Sequence, residues 1–404
     1  MINVAILGYG TVGSGVFEVI KTNQEIINKR IGEELNIKYV LALRDFPGDP
    51  VQEVLVHDYE TIINDPEVDI VVEVIGGLEP AHTFVKRALE AGKNACTSNK
   101  ALVAEFGPEL MQIAAEKNVN FLFEASCGGG IPVIRAINGS LTGDVIDEIT
   151  GILNGTTNYM MSKMSSEGCD FQEVLKEAQA KGYAEADPTA DVEGHDACRK
   201  IAILSTLAYG KFLNYQDVYT EGITKITSED MSYAKEMGKT IKLLGTSRQL
   251  GENTYTAMVA PFLVAPENPL YHVNDVFNGV FVHGNMLGDA MFYGSGAGKL
   301  PTASAVVGDI VEAAKNLHHT LRNNWTNEPM KLISSDEVEG RYFVRVKASV
   351  QAQAERIFEG AQIVKLESLP EECALITQKM KYGEYKEKIS ALDGNVLAMI
   401  RVKE

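Results

Sequence analysis

The sequence of 404 residues has few cysteines, no long apolar run and no excess of basic residues. Its five cysteines are odd in number and widely spaced, without a Cys-x-x-Cys pair, which argues against a disulfide framework and a thiolate zinc site. No segment approaches the roughly 20 apolar residues of a membrane span, and the first residues do not resemble a signal peptide. The formal net charge of -18 disfavours nucleic acid and anionic membranes as partners. We therefore expect a cytoplasmic globular protein that binds neither.

The length and the 45% content of hydrophobic residues predict two or three domains. Short apolar runs alternate with helical patterns at the start, which is typical of an α/β Rossmann-type domain with a parallel sheet. We assign it residues 1–130, with one helix predicted from Val12 to Lys29, and a returning helix at about 300–320. Residues 131–299 carry helices and longer strand-like runs, so we expect an α+β catalytic and dimerisation domain with a mainly antiparallel sheet.

The C-terminal region has a pattern of its own. Residues 321–338 are polar and are predicted to be a linker. Residues 339–404 then follow a βαββαβ order, which predicts a small ferredoxin-like domain.

A Gly-x-Gly-x-x-Gly motif follows the first predicted strand and opens the first predicted helix. Gly8, Gly10 and Gly13 occupy its glycine positions. Glycine there lets the backbone turn tightly and approach a pyrophosphate, and the helix start offers N–H groups to it. The alternative is a glycine-rich turn without a ligand. We also assign to the nucleotide site residues of this turn and of later segments: Thr11, Val12, Gly76, Thr97, Lys100 and Gly298.

The coenzyme preference depends on the end of the second predicted strand, which reads Arg44-Asp45. An arginine at this place favours the 2′-phosphate of NADP, whereas an acidic residue binds the ribose hydroxyl of NAD. The sequence therefore favours NADP and leaves NAD possible.

The segment from Ala178 to Lys200 has the strongest chemical signal. Asp196 and Lys200 are four residues apart, so they share one face of a predicted helix. The apolar residues that follow predict a buried helix, and a lysine held there beside carboxylates suits binding or proton transfer. The alternative is a solvated acidic loop with a surface ion pair.

This segment resembles the signature of the homoserine dehydrogenase family throughout. The matching residues are Ala178, Gly182, Asp187, Pro188, Asp191, Gly194, Asp196 and Lys200. Four further stretches are similar to that family: residues 97–104, 123–132, 151–161 and 294–309. The resemblance covers roughly residues 1–320.

The resemblance implies reversible, NAD(P)H-dependent reduction of L-aspartate 4-semialdehyde to L-homoserine, on the route to threonine and methionine. Lys200 matches the family's catalytic lysine, and Lys100 matches a second lysine at the substrate. Asp196 is expected to position Lys200 or the substrate hydroxyl. Glu185 and Asp191 match acidic residues that face the substrate. From their place between a strand and a helix, Asn154 and Thr157 suit the substrate carboxylate; an N-cap cluster is the alternative.

The stretch FEASCGGGIP implies a second ligand. In the family this loop binds a monovalent cation, usually Na⁺, at positions that correspond to Glu124, Cys127, Gly129 and Ile131. Oxygen ligands suit such a hard ion. No histidine lies near Cys127 in the sequence, so a nucleophilic thiol is not expected.

The C-terminal domain is similar in order and position to the ACT domain of many homoserine dehydrogenases, where threonine regulates. The expected ligand turn is replaced by the residues from Lys347 to Gln353, which leaves two hypotheses: a threonine effector site, or a module that only stabilises a homodimer or homotetramer. The competing functions are another Rossmann-type amino acid dehydrogenase and an inactive NADP-binding sensor.

Overall fold

The computed structural model describes all residues, Met1–Glu404. The chain divides into two units. The first unit consists of Met1–Asp144, Ala202–Asn214 and Gly294–Pro329, and the second consists of Val145–Ile201, Tyr215–Tyr293 and Met330–Glu404. None of the helices combines the length and the apolar character that a membrane span requires.

Strands and helices alternate in the N-terminal part of the first unit. In chain order they are β1 (Ile2–Leu7), α1 (Thr11–Thr22), α2 (Gln24–Ile31), β2 (Leu35–Leu41), β3 (Leu55–Val56), α3 (Tyr59–Ile63), β4 (Ile70–Glu73), α4 (Ala81–Glu90), β5 (Asn94–Thr97), α5 (Lys100–Lys117), β6 (Phe121–Leu122) and α6 (Val133–Arg135). The strands form one parallel sheet in the order β3-β2-β1-β4-β5-β6. This is the order of dinucleotide-binding folds, and it confirms the predicted parallel sheet.

Strand β1 shows how the sequence builds this sheet. Because side chains alternate along a strand, Val4 and Ile6 face one side and Ala5 and Leu7 the other. All four are fully buried, each pair in a different apolar cluster. Both faces of the sheet are therefore covered, as its unbroken apolar strands predict.

The single helix predicted from Val12 to Lys29 is wrong, because two helices occupy that stretch. Helix α1 ends at Thr22, and α2 begins at Gln24. Between them, Asn23 adopts φ -108° and ψ 18°, which leaves the helical region. Its N–H still donates to the carbonyl of Val19, so Asn23 closes the first helix.

The central part of the chain contains most of the second unit and returns to the first. Its elements are β7 (Ile146–Ile152), α7 (Gly155–Glu167), α8 (Phe171–Ala180), α9 (Thr189–Val192), α10 (His195–Tyr209), β8 (Tyr219–Thr220), α11 (Ser228–Glu236), β9 (Thr240–Gly251), β10 (Thr254–Val264), β11 (Phe277–Gly284), β12 (Gly288–Ser295) and α12 (Lys299–Lys315). Helix α12 belongs to the first unit, where its Val306 and Ile310 join the core beside β1.

The C-terminal part extends the sheet of the second unit. Its elements are β13 (Glu339–Lys347), α13 (Gln351–Ile357), β14 (Gln362–Val364), β15 (Glu372–Ile376), β16 (Met380–Lys381), α14 (Tyr382–Ser390) and β17 (Val396–Val402). Eleven strands form this sheet. Nine of them follow the path β12-β11-β7-β9-β10-β17-β13-β15-β14, while β16 pairs with β13 and β8 pairs with β10. Because β10 pairs in parallel with β8 and β17, the sheet is mixed rather than purely antiparallel.

Within that path, the order β17-β13-β15-β14 is the order of a ferredoxin-like βαββαβ unit, and its neighbouring strands are antiparallel. The parallel pair β10 and β17 joins this part to the rest of the sheet. Residues 339–404 therefore share one continuous sheet with the strands that precede them.

Candidate active site

The glycine motif forms the turn between β1 and α1. Gly8 has φ +105°, a conformation that side chains disfavour. A Cβ on Gly13 would overlap the carbonyl oxygen of Gly8, so the turn can close only around glycine. Gly10 is the N-cap of α1, where no side chain accepts from the first N–H groups. The turn thus presents Thr11 and Val12 at a helix start suited to a phosphate.

A fourth glycine, which the motif does not include, supports this turn. A Cβ on Gly15 would lie 2.8 Å from the carbonyl oxygen of Lys299 and 3.0 Å from the Cβ of Ala303. Helix α1 therefore packs closely against α12. Gly298, the N-cap of α12, has φ +120°. Only the spacing Gly13-x-Gly15 in a buried helix face could have indicated this packing.

Arg44 and Asp45 follow β2, and their side chains differ in the contacts that they make within the protein. The Arg44 guanidinium lies 5.1 Å from the ring centroid of Phe46, and its residue is exposed. The Asp45 carboxylate accepts from Gln52 at 3.0 Å and lies 3.2 Å from Nε2 of His57. These hydrogen bonds, the one from Gln52 first, lower the pKa of Asp45. Of the two, the arginine is the more available to a ligand.

The ends of β4 and β5 are fixed to each other by a buried carboxylate, at a strand end that the sequence places on the ligand-binding edge. Glu73 is fully buried and accepts from the N–H groups of Ile75 and Gly76 at 2.7 and 3.1 Å. Its other oxygen accepts from the hydroxyl of Thr97 at 2.5 Å. The predicted site residue Thr97 therefore uses its hydroxyl inside the protein. An acidic residue ending a buried apolar strand was the available signal.

Lys100 and Gly76 lie on the same carboxyl edge. Lys100 is the first residue of α5, whose N-cap Asn99 accepts from the N–H of Leu102 at 3.1 Å. Asn99 also donates to the carbonyl of Gly77 at 2.5 Å. Gly76 has φ +82°, and a Cβ there would meet no atom within 4 Å. The edge is thus open above this glycine, where strand ends of such sheets bind ligands.

The predicted cation loop, which carries Cys127, Gly129 and Ile131, follows the buried carboxylate of Glu124. That carboxylate accepts from the N–H groups of Ile134 and Arg135 at 2.9 and 2.7 Å. Burial raises the pKa of Glu124. The loop turns through Gly128 and Gly129, both at positive φ.

The same loop is fixed by two further contacts. The N–H of Gly130 donates to the carbonyl of Ser295 at 3.1 Å, and a Cβ on Gly129 would collide with the backbone of Gly296. The Glu124 N–H donates to Asp309 of α12 at 2.8 Å, and burial raises the pKa of Asp309 to about 8. No group of three or more His, Cys, Asp and Glu side chains is arranged to hold a metal ion.

Lys200 is the centre of a buried polar cluster in the second unit. It is 8% exposed, and its Nζ donates to a carboxylate oxygen of Asp196 at 2.7 Å and to the carbonyl of Leu153 at 2.8 Å. Asp196 is 3% exposed. The i,i+4 spacing on α10 brings the two side chains together, as predicted from the sequence. The ion pair is therefore buried, and the surface ion pair considered as an alternative is wrong.

Asn154 connects two acidic residues of the cluster. Its side-chain amide donates to Asp191 at 2.7 Å and to Asp196 at 2.9 Å, while its oxygen accepts from the N–H of Thr157 at 2.8 Å. Asn154 is thus the N-cap of α7 and a bridge within the cluster at once. The N-cap alternative is therefore confirmed, and the binding of the substrate carboxylate at Asn154 and Thr157 stays a prediction.

Glu185 lies outside these hydrogen bonds. Its residue is exposed, and its backbone carbonyl accepts from the side chain of Gln179 at 3.0 Å. Asp187, on the same loop, is also exposed and accepts from the hydroxyl of Thr189 at 2.6 Å. The structure therefore gathers Asn154, Thr157, Asp191, Asp196 and Lys200 and leaves Glu185 at the surface of its unit.

Comparison with known proteins shows which family the chain is similar to. A family model described as "Homoserine dehydrogenase" matches residues 132–311, and one described as "Homoserine dehydrogenase, NAD binding domain" matches residues 8–124. The chain is 41% identical over 352 residues to a homoserine dehydrogenase of Bacillus subtilis, covering 85% of this chain and 81% of that protein.

Solved structures extend the match. A homoserine dehydrogenase from Thiobacillus denitrificans superposes with a TM-score of 0.91 at 37% identity, covering 100% of this chain and 98% of that one. A hyperthermophilic archaeal homoserine dehydrogenase in complex with NADPH gives a TM-score of 0.65 at 28% identity, covering 77% of this chain and 97% of that one.

Proposed function

We propose how particular residues divide the work of the reaction, on the premise that the chain belongs to the homoserine dehydrogenase family. Members are NAD(P)-dependent oxidoreductases that interconvert L-aspartate 4-semialdehyde and L-homoserine, and that is the activity of this chain. The observation that carries the residue assignments is the buried ammonium of Lys200 on the carboxylate of Asp196.

In this proposal Lys200 is the proton donor during reduction and the acceptor during oxidation. Bound NADPH supplies a hydride to the aldehyde carbon, which leaves negative charge on the aldehyde oxygen. An ammonium beside that oxygen stabilises the charge and supplies the proton. Asp196 orients Lys200, and Lys100 contributes a second positive charge at the substrate.

The remaining polar residues hold the amino acid part of the substrate. The N-terminus of α7, at Asn154 and Thr157, suits the α-carboxylate, because helix starts favour anions. Asp191 and Glu185 suit the α-ammonium group. Of these two, Asp191 already lies in the buried cluster, and the exposed Glu185 needs to move or to act at the rim.

We propose NADP as the preferred coenzyme, with NAD accepted more weakly. The exposed Arg44 can pair with a 2′-phosphate, whereas the neighbouring Asp45 is engaged by Gln52 and His57. The pyrophosphate lies at the glycine turn in this proposal, and the nicotinamide half lies by the strand ends. The nucleotide residues are then Gly8, Gly10, Thr11, Val12, Gly13, Arg44, Gly76, Thr97, Lys100 and Gly298.

Arg44→Ala tests the coenzyme assignment. Loss of one charge-assisted contact should lower kcat/KM for NADP by about tenfold and change kcat/KM for NAD by less. An equal loss with both coenzymes would remove Arg44 from the 2′-phosphate site. Lys21→Ala, on the adjacent helix α1, serves as the control for a change of surface charge.

We also propose a monovalent cation, such as Na⁺, at the loop that follows Glu124. A buried carboxylate oxygen keeps a second acceptor site after taking one N–H, so Glu124 can contribute to such an ion. The carbonyls of Cys127, Gly129 and Ile131 would complete it, because hard ions prefer oxygen. Replacing NaCl by choline chloride should lower the melting temperature of the wild type but not of Glu124→Gln.

For the C-terminal part we propose an ACT-like domain at residues 339–404. It either offers threonine an effector site or only stabilises a homodimer or homotetramer. The βαββαβ strand order supports the domain assignment. Residues 1–130 with the helix at about 300–320 would bind the nucleotide, residues 131–299 the substrate, and residues 321–338 would be the linker. Titration of activity with threonine, with analytical ultracentrifugation of the same samples, tests the effector and the assembly.

The assay that tests the whole proposal follows NADPH absorbance during oxidation of L-homoserine, repeated with NAD. Rapid NADP reduction that depends on L-homoserine is expected. Absence of turnover with intact NADPH binding would favour the inactive sensor. Five free cysteines fit a reducing compartment, so we place this activity in the cytoplasm.

A further inference from the structure

The last strand of the chain reaches the substrate unit through a buried arginine. Strand β17 pairs in parallel with β10, and Arg401 lies opposite Phe262 in that pair. Arg401 is only 7% exposed. A buried guanidinium is costly unless its charge and N–H groups are satisfied, so its partners indicate what it does.

Two of those partners lie in the short strand β8 and the residue after it, and the third is the first residue of α14. The Nη1 of Arg401 donates to the carboxylate of Glu221 at 2.7 Å. Its guanidinium also lies 4.8 Å from the ring centroid of Tyr219 and 4.9 Å from that of Tyr382. Ring faces on the planar cation add to the ion pair and restrict its position. Arg401 thus holds the segment from Tyr219 to Glu221 against the C-terminal part.

The same segment supports the end of α9. Next to Glu221, Gly222 lies so close to Val192 and Glu193 that a Cβ on it would overlap their backbone. The N–H of Ile223 donates to the carbonyl of Val192 at 2.8 Å. The backbone at 222 and 223 therefore sets the position of the turn that follows Asp191.

That turn connects the two carboxylates of the Lys200 cluster. It passes through Gly194 at φ +82°, where a Cβ would lie 3.1 Å from Val259 and 3.2 Å from the side chain of Thr220. On one side of the turn Asp191 accepts from Asn154, and on the other Asp196 accepts from Asn154 and Lys200. A shift of the 219–223 segment would move both carboxylates.

We infer that Arg401 is a positioning residue for the dehydrogenase reaction, acting through Glu221 and Gly222 on the turn between Asp191 and Asp196. The inference rests on the proposed roles of Asp196 and Lys200. In this proposal the C-terminal part, besides forming a domain of its own, helps to position the residues of the substrate site. It touches neither substrate nor coenzyme through Arg401.

The test compares Arg401→Met, Arg401→Lys and Glu221→Gln in the full-length enzyme. Arg401→Met keeps the apolar stem but leaves Glu221 without its cation. Because small displacements of catalytic groups are costly, kcat per folded molecule should fall about tenfold to hundredfold. Affinity for NADPH should change less than about twofold. Arg401→Lys restores the charge and should recover part of the loss.

The matched control is Arg341→Met. Arg341 lies on the adjacent strand β13, and its hydrogen bond to the carbonyl of Thr377 stays within the C-terminal part. Circular dichroism gives the folded fraction of every variant at the assay temperature. Equal losses of kcat in R341M and R401M, or a normal kcat per folded molecule in R401M, would overturn the inference.

A double mutant separates positioning from general destabilisation. If Arg401 acts through Glu221, then kcat of R401M/E221Q should match that of R401M, because two changes in one contact are not additive. Multiplied losses would contradict the pathway. E221Q alone, at a side chain that is 23% exposed, remains informative if R401M folds poorly. Should Lys200→Ala keep turnover, the proposed function fails instead, whatever the Arg401 variants do.

Discussion

Two regions of the second unit each bury an ammonium group, and the hydrogen-bond partners of the two groups differ. On α10, Lys200 lies 2.7 Å from the carboxylate of Asp196. On β9, Lys242 is only 1% exposed and has no such hydrogen bond to a carboxylate. Its Nζ donates to three neutral oxygens, those of the Val273 carbonyl at 2.6 Å and of the Asn274 and Asn158 side chains at 2.9 and 3.2 Å.

The difference separates the lysine that we propose for catalysis from one whose hydrogen bonds stabilise local packing. Burial without a paired carboxylate lowers the pKa of Lys242 from 10.5 to about 8. Its hydrogen bonds join β9 to α7 and to the loop before β11, so it stabilises the packing of that region. Burial is thus common to both lysines, and the hydrogen-bonded carboxylate is the feature that distinguishes Lys200.

Removing the first ammonium should have the largest effect. Lys200→Ala takes away the proposed proton donor, and general acid catalysis contributes about a hundredfold to ten-thousandfold. We expect kcat to fall by about a thousandfold or more, with NADPH affinity nearly unchanged. Lys242→Met is the matched control, because it removes the other buried ammonium and should change kcat by less than about threefold. Similar losses of kcat in both variants would show that Lys200 has no role that Lys242 lacks.

The second prediction gives Lys200 the kind of surroundings that Lys242 has. Asp196→Asn replaces the carboxylate by an amide of the same shape. The two oxygens that accept from Nζ of Lys200, those of residue 196 and of the Leu153 carbonyl, would then both be neutral. We expect kcat to fall about a hundredfold, because the carboxylate that orients the ammonium is lost. Asp187→Asn, on the exposed loop, is the control. A kcat equal to that of the wild type would show that Asp196 does not act on Lys200.

The sequence predicted those parts of the site that depend on local spacing. The glycine motif and the i,i+4 pair Asp196 and Lys200 follow from helix and turn geometry over a few residues. In the same way, unbroken apolar strands were enough to predict the parallel sheet.

Features that depend on residues far apart in the chain were beyond that reasoning. Asn154 meets Asp191 and Asp196 only after β7 and α10 have packed, and Lys242 reads as an ordinary lysine in an apolar strand. The split of the first helix at Asn23 escaped prediction because the apolar pattern continues across it. The pairing of β17 with β10 joins strands more than 130 residues apart, which no local pattern encodes.

The third prediction concerns the free energy of unfolding that is lost because the Lys242 ammonium is buried without a carboxylate partner. The pKa of Lys242 is about 8 in the folded protein and 10.5 in the unfolded chain. The unfolded chain therefore binds more protons between these pH values. The free energy of unfolding should therefore rise with pH from about 8 to 10.5, by about 3 kcal/mol at most. Below pH 8 both states are protonated, so this gain is absent.

Lys242→Met should remove that rise. The measurement is urea unfolding of both proteins at several pH values from 7 to beyond about 10, with the difference between them isolating this group. The variant also leaves three oxygens without a donor, which costs stability at every pH. A difference that stays constant with pH would mean that Lys242 keeps its charge throughout.

The smallest predicted effect comes from giving Lys242 the partner that Lys200 has. Asn274→Asp places a carboxylate where an amide oxygen now accepts from Nζ at 2.9 Å. The new charge favours the ammonium, so the pKa of Lys242 should rise and the gain in stability with pH should shrink. Because residue 274 is exposed, solvent screens the pair, and we expect a reduction of about 1 kcal/mol or less.

Asn253→Asp is the matched control for this change, since it adds the same charge at the exposed turn between β9 and β10. It should leave the pH dependence of unfolding as it is in the wild type. If Asn274→Asp also leaves the pH dependence of unfolding unchanged, a carboxylate is not what distinguishes Lys200 from Lys242. Depth of burial must then account for the difference between them.

If the pH dependence of unfolding weakens while kcat stays constant, a paired carboxylate sets the charge of a buried lysine without making that lysine catalytic. Catalysis would then require what only the α10 region offers, an ion pair bridged by Asn154 to a second carboxylate.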